Sequence, residues 1–162
     1  MTIRVGFGFD VHRFADGRPL MIGAVEIPYP RGLAGHSDAD VLLHAICDAL
    51  LGAMGQGDIG QLFPDHDPKY KDIPSVELLR EVARLAREQG WRVVNVDATV
   101  VAEAPKIAPH RILMQTRIAQ TLGLDGRVSV KATTTEGLGY TGRGEGMAAY
   151  AVALLEKEGG GQ

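Results

Sequence analysis

Apolar side chains at Ile3, Val5, Phe7, Phe9 and Val11 alternate with other residues, the two-residue period of a β-strand with one face buried. Leu20 to Ile27 predicts a short strand pair that turns at Gly23-Ala24. From Asp38 to about Met54 the pattern becomes helical, with Ser37 as the expected N-cap. Val41, Leu42, Leu43, Ile46, Leu50 and Leu51 cover most of that helix's circumference, which predicts burial. Gly55 to Asp72, rich in Gly, Pro and Asp, reads as an ordered loop. A second helix is expected after Ser75 as its cap, with Leu78, Leu79, Val82 and Leu85 on one face and Gly90 just past its end. Trp91 to Ala102 and Arg127 to Thr133 read as strands. Between them Pro109 fits the first turn of a third helix that ends near Gly123.

Met147 to Glu156 points both ways. Its Ala, Leu and Glu content favours helix, whereas Ala148, Tyr150, Val152 and Leu154 alternate as in a strand. Interleaved strands and helices place the chain in the α/β or α+β class, with helices covering a sheet. The 162 residues suffice for one domain with a hydrophobic core, and 45% of them are apolar, an ordinary globular share. One domain over residues 1–157 is expected, with 158–162, around Gly159-Gly160-Gly161, as a flexible tail.

Charge narrows the partners. Seventeen basic against 20 acidic residues give a formal net charge of -3 without long runs, so neither a nucleic acid nor a membrane surface is the expected ligand. A cationic pocket for a phosphorylated small molecule is compatible with that balance. Cys47 is the one cysteine, which excludes an intrachain disulfide and a Cys-rich zinc site; inside an apolar run it reads as a small buried hydrophobe. The sequence contains no signal-like apolar block at Met1-Thr2-Ile3-Arg4 and no run of ~20 apolar residues, so a cytoplasmic location is expected.

Four segments carry candidate chemistry. In Gly8-Phe9-Asp10-Val11-His12, positions two apart on a strand project together, so Asp10 and His12 share a face. A carboxylate beside an imidazole suits zinc, and equally forms an ordinary strand-end ion pair. In His36-Ser37-Asp38-Ala39-Asp40, followed by His44, the imidazole of His44 sits among apolar residues and requires an acceptor or a metal. Asp10, His12 and His44 together would leave a fourth tetrahedral position open, as catalytic zinc sites do. Asp40 or Asp48, on the His44 face of the helix, is the expected orienting carboxylate.

Gly57 to Asp67 offers acidic and glycine residues for ribose hydroxyls, or simply for tight turns. Lys131 to Gly137, continuing through Tyr140 and Arg143 to Gly146, combines hydroxyls, cations and glycines. That composition suits an anion cradle, with Glu136 as a hard ligand for Mg²⁺ or Mn²⁺, and it also describes a threonine-rich strand end with a glycine-rich turn. Neither a nucleophile elbow nor a Rossmann or Walker glycine pattern is present.

Read in order, GFDVH, HSDADVLLH, GDIGQLFPD, APKIAPH and KATTTEGLGYTGRGEG closely resemble the 2-C-methyl-D-erythritol 2,4-cyclodiphosphate synthases of the non-mevalonate isoprenoid route, from about Ile3 to Leu155. The resemblance implies an α+β fold with a four-stranded mixed sheet covered on one face by helices, assembled as a homotrimer with sites between subunits. It makes the Met147 segment a strand. It implies zinc on Asp10, His12 and His44, and Mg²⁺ or Mn²⁺ held with Glu136 and the substrate diphosphate.

His36 and Thr134 would stabilise the transition state. Asp10, His12, His36 and Ser37, then Asp58, Ile59 and Gly60, then Phe63, Pro64, Asp65, His66 and Asp67 would face the methylerythritol and ribose parts of the substrate. Ala102, Glu103, Ala104, Pro105, Lys106, Ile107 and Ala108 would form the cytosine and CDP-phosphate pocket, with Thr133, Thr135, Tyr140 and Arg143 completing the contacts. Tyr140, where many members carry Phe, and His66 and Ala108 depart from the usual pattern at pocket edges. Two other function classes fit the same residues: a binding module with a structural zinc clip, and a metal-dependent phosphohydrolase that activates water.

Overall fold

The computed structural model describes residues 1–159; residues 160–162 of the expected tail lie outside the described residues. Strand β1 (Thr2–Ala15) runs antiparallel to the last strand, β7 (Gly146–Lys157), in continuous register from Thr2 opposite Lys157 to Arg13 opposite Gly146. β7 also pairs antiparallel with β5 (Arg92–Val101), and β5 pairs parallel with β6 (Val128–Thr133). The two-residue strand β4 (Gly32–Leu33) adds to the far end of β1. The sheet order is therefore β4-β1-β7-β5-β6, five strands rather than the expected four. The extra strand is too short to leave a periodic signal in the sequence. The predicted strand pair is present as a separate hairpin of β2 (Leu20–Ile22) and β3 (Val25–Ile27).

The long helices are α1 (Val41–Met54), α3 (Ser75–Glu88) and α4 (Arg111–Leu122), with short turns of helix at α2 (Ile59–Leu62) and α5 (Gly139–Gly142). α1 lies on β1 and β7, α3 on α1, and α4 on β6 and α3. The ambiguous C-terminal segment is a strand. Its central place between β1 and β5 satisfies two ladders of backbone hydrogen bonds, which outweighs its helical composition.

Two helix starts differ from expectation. Asp40, not Ser37, caps α1: its carboxylate accepts the Leu43 N–H and also the N–H groups of Gly23 and Ala24 at the β2–β3 turn. Burial is the larger influence on this carboxyl and raises its pKa to about 6 against those three donors. Ser75 is the first residue of α3, after Pro74, rather than its cap. In both cases the serine hydroxyl has another partner, His44.

The buried face of β1 is not the apolar one. Ile3, Val5, Phe7, Phe9 and Val11 are exposed on the side away from α1, whereas Gly6 and Gly8 are buried beneath the helix. A Cβ at Gly6 would stand 1.7 Å from the Ala49 carbonyl oxygen, and one at Gly8 would stand 1.8 Å from that of Ala45. Ala45, Ala49 and Ala53 on α1, with Ala149, Ala151 and Ala153 on β7, continue this seam of small buried residues. Backbone thus meets backbone where larger side chains would hold the layers apart.

Gly8→Ala will lower stability by roughly 3 kcal/mol or more in denaturant unfolding, because the obstructing atom is a helix carbonyl with nowhere to relax. Gly52→Ala, on the same helix, has only the Phe7 oxygen within reach at 3.8 Å and is expected to be neutral or stabilising by ~0.5–1 kcal/mol. Equal destabilisation by the two substitutions would refute the close-contact account of this seam.

Candidate metal centre and cleft

The glycine seam delivers His44 to β1. His44 precedes Ala45 in α1, and Asp10 lies one strand repeat beyond Gly8, so seating Ala45 on Gly8 brings the imidazole to the carboxylate. Asp10 Oδ2 is 2.8 Å from His12 Nε2 and 3.1 Å from His44 Nδ1, and the two nitrogens are 3.2 Å apart. Ligand atoms on a tetrahedral zinc with ~2.05 Å bonds stand about 3.3 Å from one another, so the triangle has nearly the required size.

The far side of each ring is also engaged. His12 Nδ1 lies 2.7 Å from the Ala34 carbonyl oxygen, to which it donates. His44 Nε2 lies 2.8 Å from the Ser75 hydroxyl and 3.2 Å from that of Ser37. Donation outward leaves His12 Nε2 and His44 Nδ1 as lone pairs directed, with a carboxylate, at one point. Three electron-rich atoms at that separation repel unless a cation lies between them. One carboxylate and two imidazoles are a donor set that zinc accepts, and the residues fit that ion.

The titration behaviour has the same origin. For Asp10 burial is the largest influence and favours the neutral acid, yet hydrogen bonds and charges from His12 and His44 outweigh it and bring the carboxyl down to about 2. Burial likewise pulls the His12 pKa down, but the hydrogen bond and charge of Asp10 raise it above 6.5. Without a metal ion, a proton on His12 serves as the cation.

The remaining predicted residues fall into two groups. In the first, His36, Ser37, His44, Ile59, Gly60, Phe63 and Asp65 line one small cleft of about 50 Å³ beside the triad. His36 Nε2 is 3.2 Å from the Asp67 carbonyl oxygen, and Phe63 is buried edge-on against Tyr70 with ring centres 5.2 Å apart. Asp58 caps α2 through the Gln61 N–H, while Asp65 and His66 are exposed and Pro64 is half-buried.

The second group lies elsewhere on the sheet. Ala102 to Ala108 follows β5 and Thr133 to Tyr140 follows β6, and the two loops are tied by Glu103, whose carboxylate accepts the N–H groups of Thr135 and Gly137. Glu136 is exposed between those two residues, with φ at 55° in the left-handed region. Thr134 Oγ1 accepts the Glu136 N–H, and Arg143 pairs with Glu145. Ala104, Lys106, Ala108, Thr133, Thr134 and Tyr140 are exposed, Pro105 is half-buried and Ile107 is buried.

Register measures the gap between the groups. Val11 pairs with Ala148, Ala148 with Val101 and Val101 with Thr133, so Thr133 stands level with the triad and three strands away, about 14 Å at ~4.8 Å per strand. Among the described residues no hydrogen bond or ion pair joins the two groups.

Asp40 and Asp48 do not orient the histidines: Asp40 holds the β2–β3 turn and Asp48 accepts the Ile59 N–H at 2.8 Å. The sequence reading missed Ala34, Asp38 and Ser75. A backbone oxygen has no sequence signature, and a serine 31 residues beyond His44 has none either. Cys47 is fully buried with its thiol pKa pushed well up by that burial, so it is inert packing as expected.

The chain matches the model of the YgbB family over residues 3–156. The chain belongs to the YgbB family. A Desulfatibacillum aliphaticivorans relative named 2-C-methyl-D-erythritol 2,4-cyclodiphosphate synthase is 66% identical over 95% of this chain and 100% of its own length. A relative of the same name from Geobacillus kaustophilus is 60% identical over 95% of this chain and 98% of its own length. Among solved structures, a 2C-methyl-D-erythritol-2,4-cyclodiphosphate synthase in a CDP-bound form superposes with a TM-score of 0.86 at 38% identity, covering 94% of this chain and 100% of that one. A Plasmodium falciparum protein named IspF, solved as a CDP complex, superposes with a TM-score of 0.84 at 34% identity over 97% of both chains. Within the YgbB frame the triad and the cleft beside it are the chemically equipped part of the molecule. A concavity of about 680 Å³ around Trp91 and Leu124, at the opposite end of the sheet, holds no comparable ligand cluster among the described residues.

Zinc uptake by metal-free protein will displace the His12 proton, so affinity will rise with pH through the raised His12 pKa by up to ~10-fold per unit and level off above it. His12→Ala will weaken zinc binding by at least ~100-fold. Calorimetric titration in two buffers of different ionisation enthalpy checks both; a pH-independent affinity would rule out His12 as the proton-bearing ligand.

Proposed function

We propose that this chain converts 4-diphosphocytidyl-2-C-methyl-D-erythritol 2-phosphate into 2-C-methyl-D-erythritol 2,4-cyclodiphosphate and CMP, in the cytoplasm, as a step toward isoprenoid precursors. The convergence of Asp10, His12 and His44 on one point, beside a cleft lined by His36 and Ser37, carries this reading. The names of relatives above 60% identity over the whole domain support it.

The substrate brings its own nucleophile. A phosphate monoester is already anionic near neutral pH, so no strong base is needed. An oxygen of the 2-phosphate attacks the β-phosphorus, the bond from that phosphorus to the bridging oxygen breaks, and CMP leaves with the electron pair. Asp10, His12 and His44 would hold Zn²⁺, and Glu136 would help hold Mg²⁺ or Mn²⁺; when bound, these ions would supply Lewis-acid charge neutralisation. The protein supplies placement. His36 and Thr134 donate hydrogen bonds to the reacting phosphates, Asp58 to Asp67 hold the sugar end, and the Ala102 to Ala108 loop holds the cytidine.

Such a substrate must touch both residue groups, which one chain keeps about three strands apart. The proposal therefore includes a homotrimer in which the Glu136 loop of one subunit completes the cleft of its neighbour. The exposed apolar face supports this assembly: Phe7, Phe9, Val11, Tyr150 and Val152 are each more than 40% exposed, and the tilted rings of Phe9 and Tyr150 pack with centres 5.0 Å apart. Patches of this kind on a lone chain mark an interface.

Incubation with the CDP-methylerythritol phosphate, read by phosphorus NMR, is expected to yield CMP and the cyclic diphosphate in equal amounts. Free methylerythritol phosphates instead would favour the hydrolase, and retention of nucleotide without CMP release would favour the binding module. Glu136→Gln will cut turnover roughly 100-fold or more, the scale of losing one charge-stabilising group. It will leave the thermal midpoint within a few degrees, since Glu136 is exposed. An unchanged Mg²⁺ or Mn²⁺ titration would remove Glu136 from its role.

A further inference from the structure

Ser75 is completely buried at the first turn of α3, and its hydroxyl bridges two polar groups from different elements. It donates to Asp38 Oδ1, and it stands 2.8 Å from His44 Nε2. The other Asp38 oxygen accepts the Ser75 backbone N–H at 3.1 Å, so one carboxylate grips this residue at two points. A serine hydroxyl has a single proton. With that proton directed at the Asp38 carboxylate, only an oxygen lone pair faces His44, and Nε2 must be the donor. The ring then carries its hydrogen on Nε2 and directs a bare Nδ1 at Asp10 and His12.

We propose that Asp38 and Ser75 form a positioning relay, carboxylate to hydroxyl to imidazole, that fixes His44 as an Nδ1 metal ligand. The relay rests on the metal-centre reading above and deepens it. It explains why His44 is held through its distal nitrogen although α1 has no acceptor of its own for that atom: Asp40 and Asp48 are both committed to backbone N–H groups. It also explains the displaced α3 cap, since the Ser75 hydroxyl is spent on His44 rather than on the helix end. A charged acceptor behind the hydroxyl polarises it and strengthens the imidazole as a donor of electrons to a cation. The arrangement parallels that of His12, whose distal nitrogen is fixed by the Ala34 carbonyl. Ser37, 3.2 Å from the same Nε2 and 3.4 Å from the Ser75 oxygen, is the weaker second acceptor.

The test is zinc affinity of metal-free protein, measured against a competing chelator, for wild type, Ser75→Ala and Asp38→Asn, together with the thermal midpoint of each metal-free form. The relay predicts a loss of ~10–100-fold in affinity for Ser75→Ala and a loss of about 10-fold for Asp38→Asn, which retains the hydroxyl but not the charge. It also predicts that nitrogen NMR of zinc-loaded wild type finds His44 ligated at Nδ1 and protonated at Nε2. If Ser75→Ala does not fold, the Asp38→Asn affinity and the nitrogen spectrum decide. Lowered midpoints with unchanged affinities, or a His44 bound through Nε2, would overturn the relay. A wild-type chain that takes up no zinc would remove the metal-centre reading itself, a different result from variants that bind as tightly as wild type.

Discussion

The direct seating of α1 on β1, backbone against backbone at Gly6 and Gly8, is the contact on which the rest depends. Layers that meet through ordinary side chains are held apart by the bulk of those side chains. Here two glycines and a row of alanines close that distance, and the closure carries His44 to within 3.1 Å of Asp10. The same choice reverses the strand. With its inward positions given to Gly6, Gly8, Asp10 and His12, β1 has nowhere for its large apolar residues except the outer face. One packing constraint thus yields both the ligand triangle and the hydrophobic surface proposed for assembly.

Electrostatics then sets what the triangle can do. The Ala34 carbonyl and the Ser75 hydroxyl occupy the outer nitrogens of the two rings, and the inner lone pairs converge with a carboxylate. Such a grouping suits a proton or a metal ion, and His44 also lines the cleft of His36 and Ser37. The Thr133 to Glu136 turn, to which the proposed function gives phosphate contacts, is separated from it by the width of β7 and β5. Under the proposed function a single chain presents two half-sites, and the diphosphate substrate would require both.

Much of this was legible in the residues, and the gaps have physical causes. The period of two in β1 and of 3.6 in α1 located those elements, and type and spacing made Asp10, His12 and His44 candidate ligands, which the family resemblance singled out. The burial direction of β1 was not legible, because alternation reveals two faces without saying which one meets the helices. Gly6 and Gly8 on the polar register were the available clue, since a strand glycine marks close backbone approach. Ser37 and Ser75 were read as caps because local pattern assigns a hydroxyl to the nearest helix end, whereas burial reassigned both to His44. β4 was invisible at two residues, and β7 was decided by its neighbours on both sides. Asp38, Ser75 and the Ala34 carbonyl could not be assigned from spacing, because orientation of a ligand is a three-dimensional property.

The central claim is that the cation held by the triad keeps a position for a phosphate oxygen. Zinc-edge X-ray absorption on zinc-loaded protein with and without CDP tests it most directly. The account predicts one carboxylate oxygen and two imidazole nitrogens in both samples, with a phosphorus scatterer appearing near the metal when CDP is added. A zinc surrounded by four protein ligands and indifferent to CDP would contradict it.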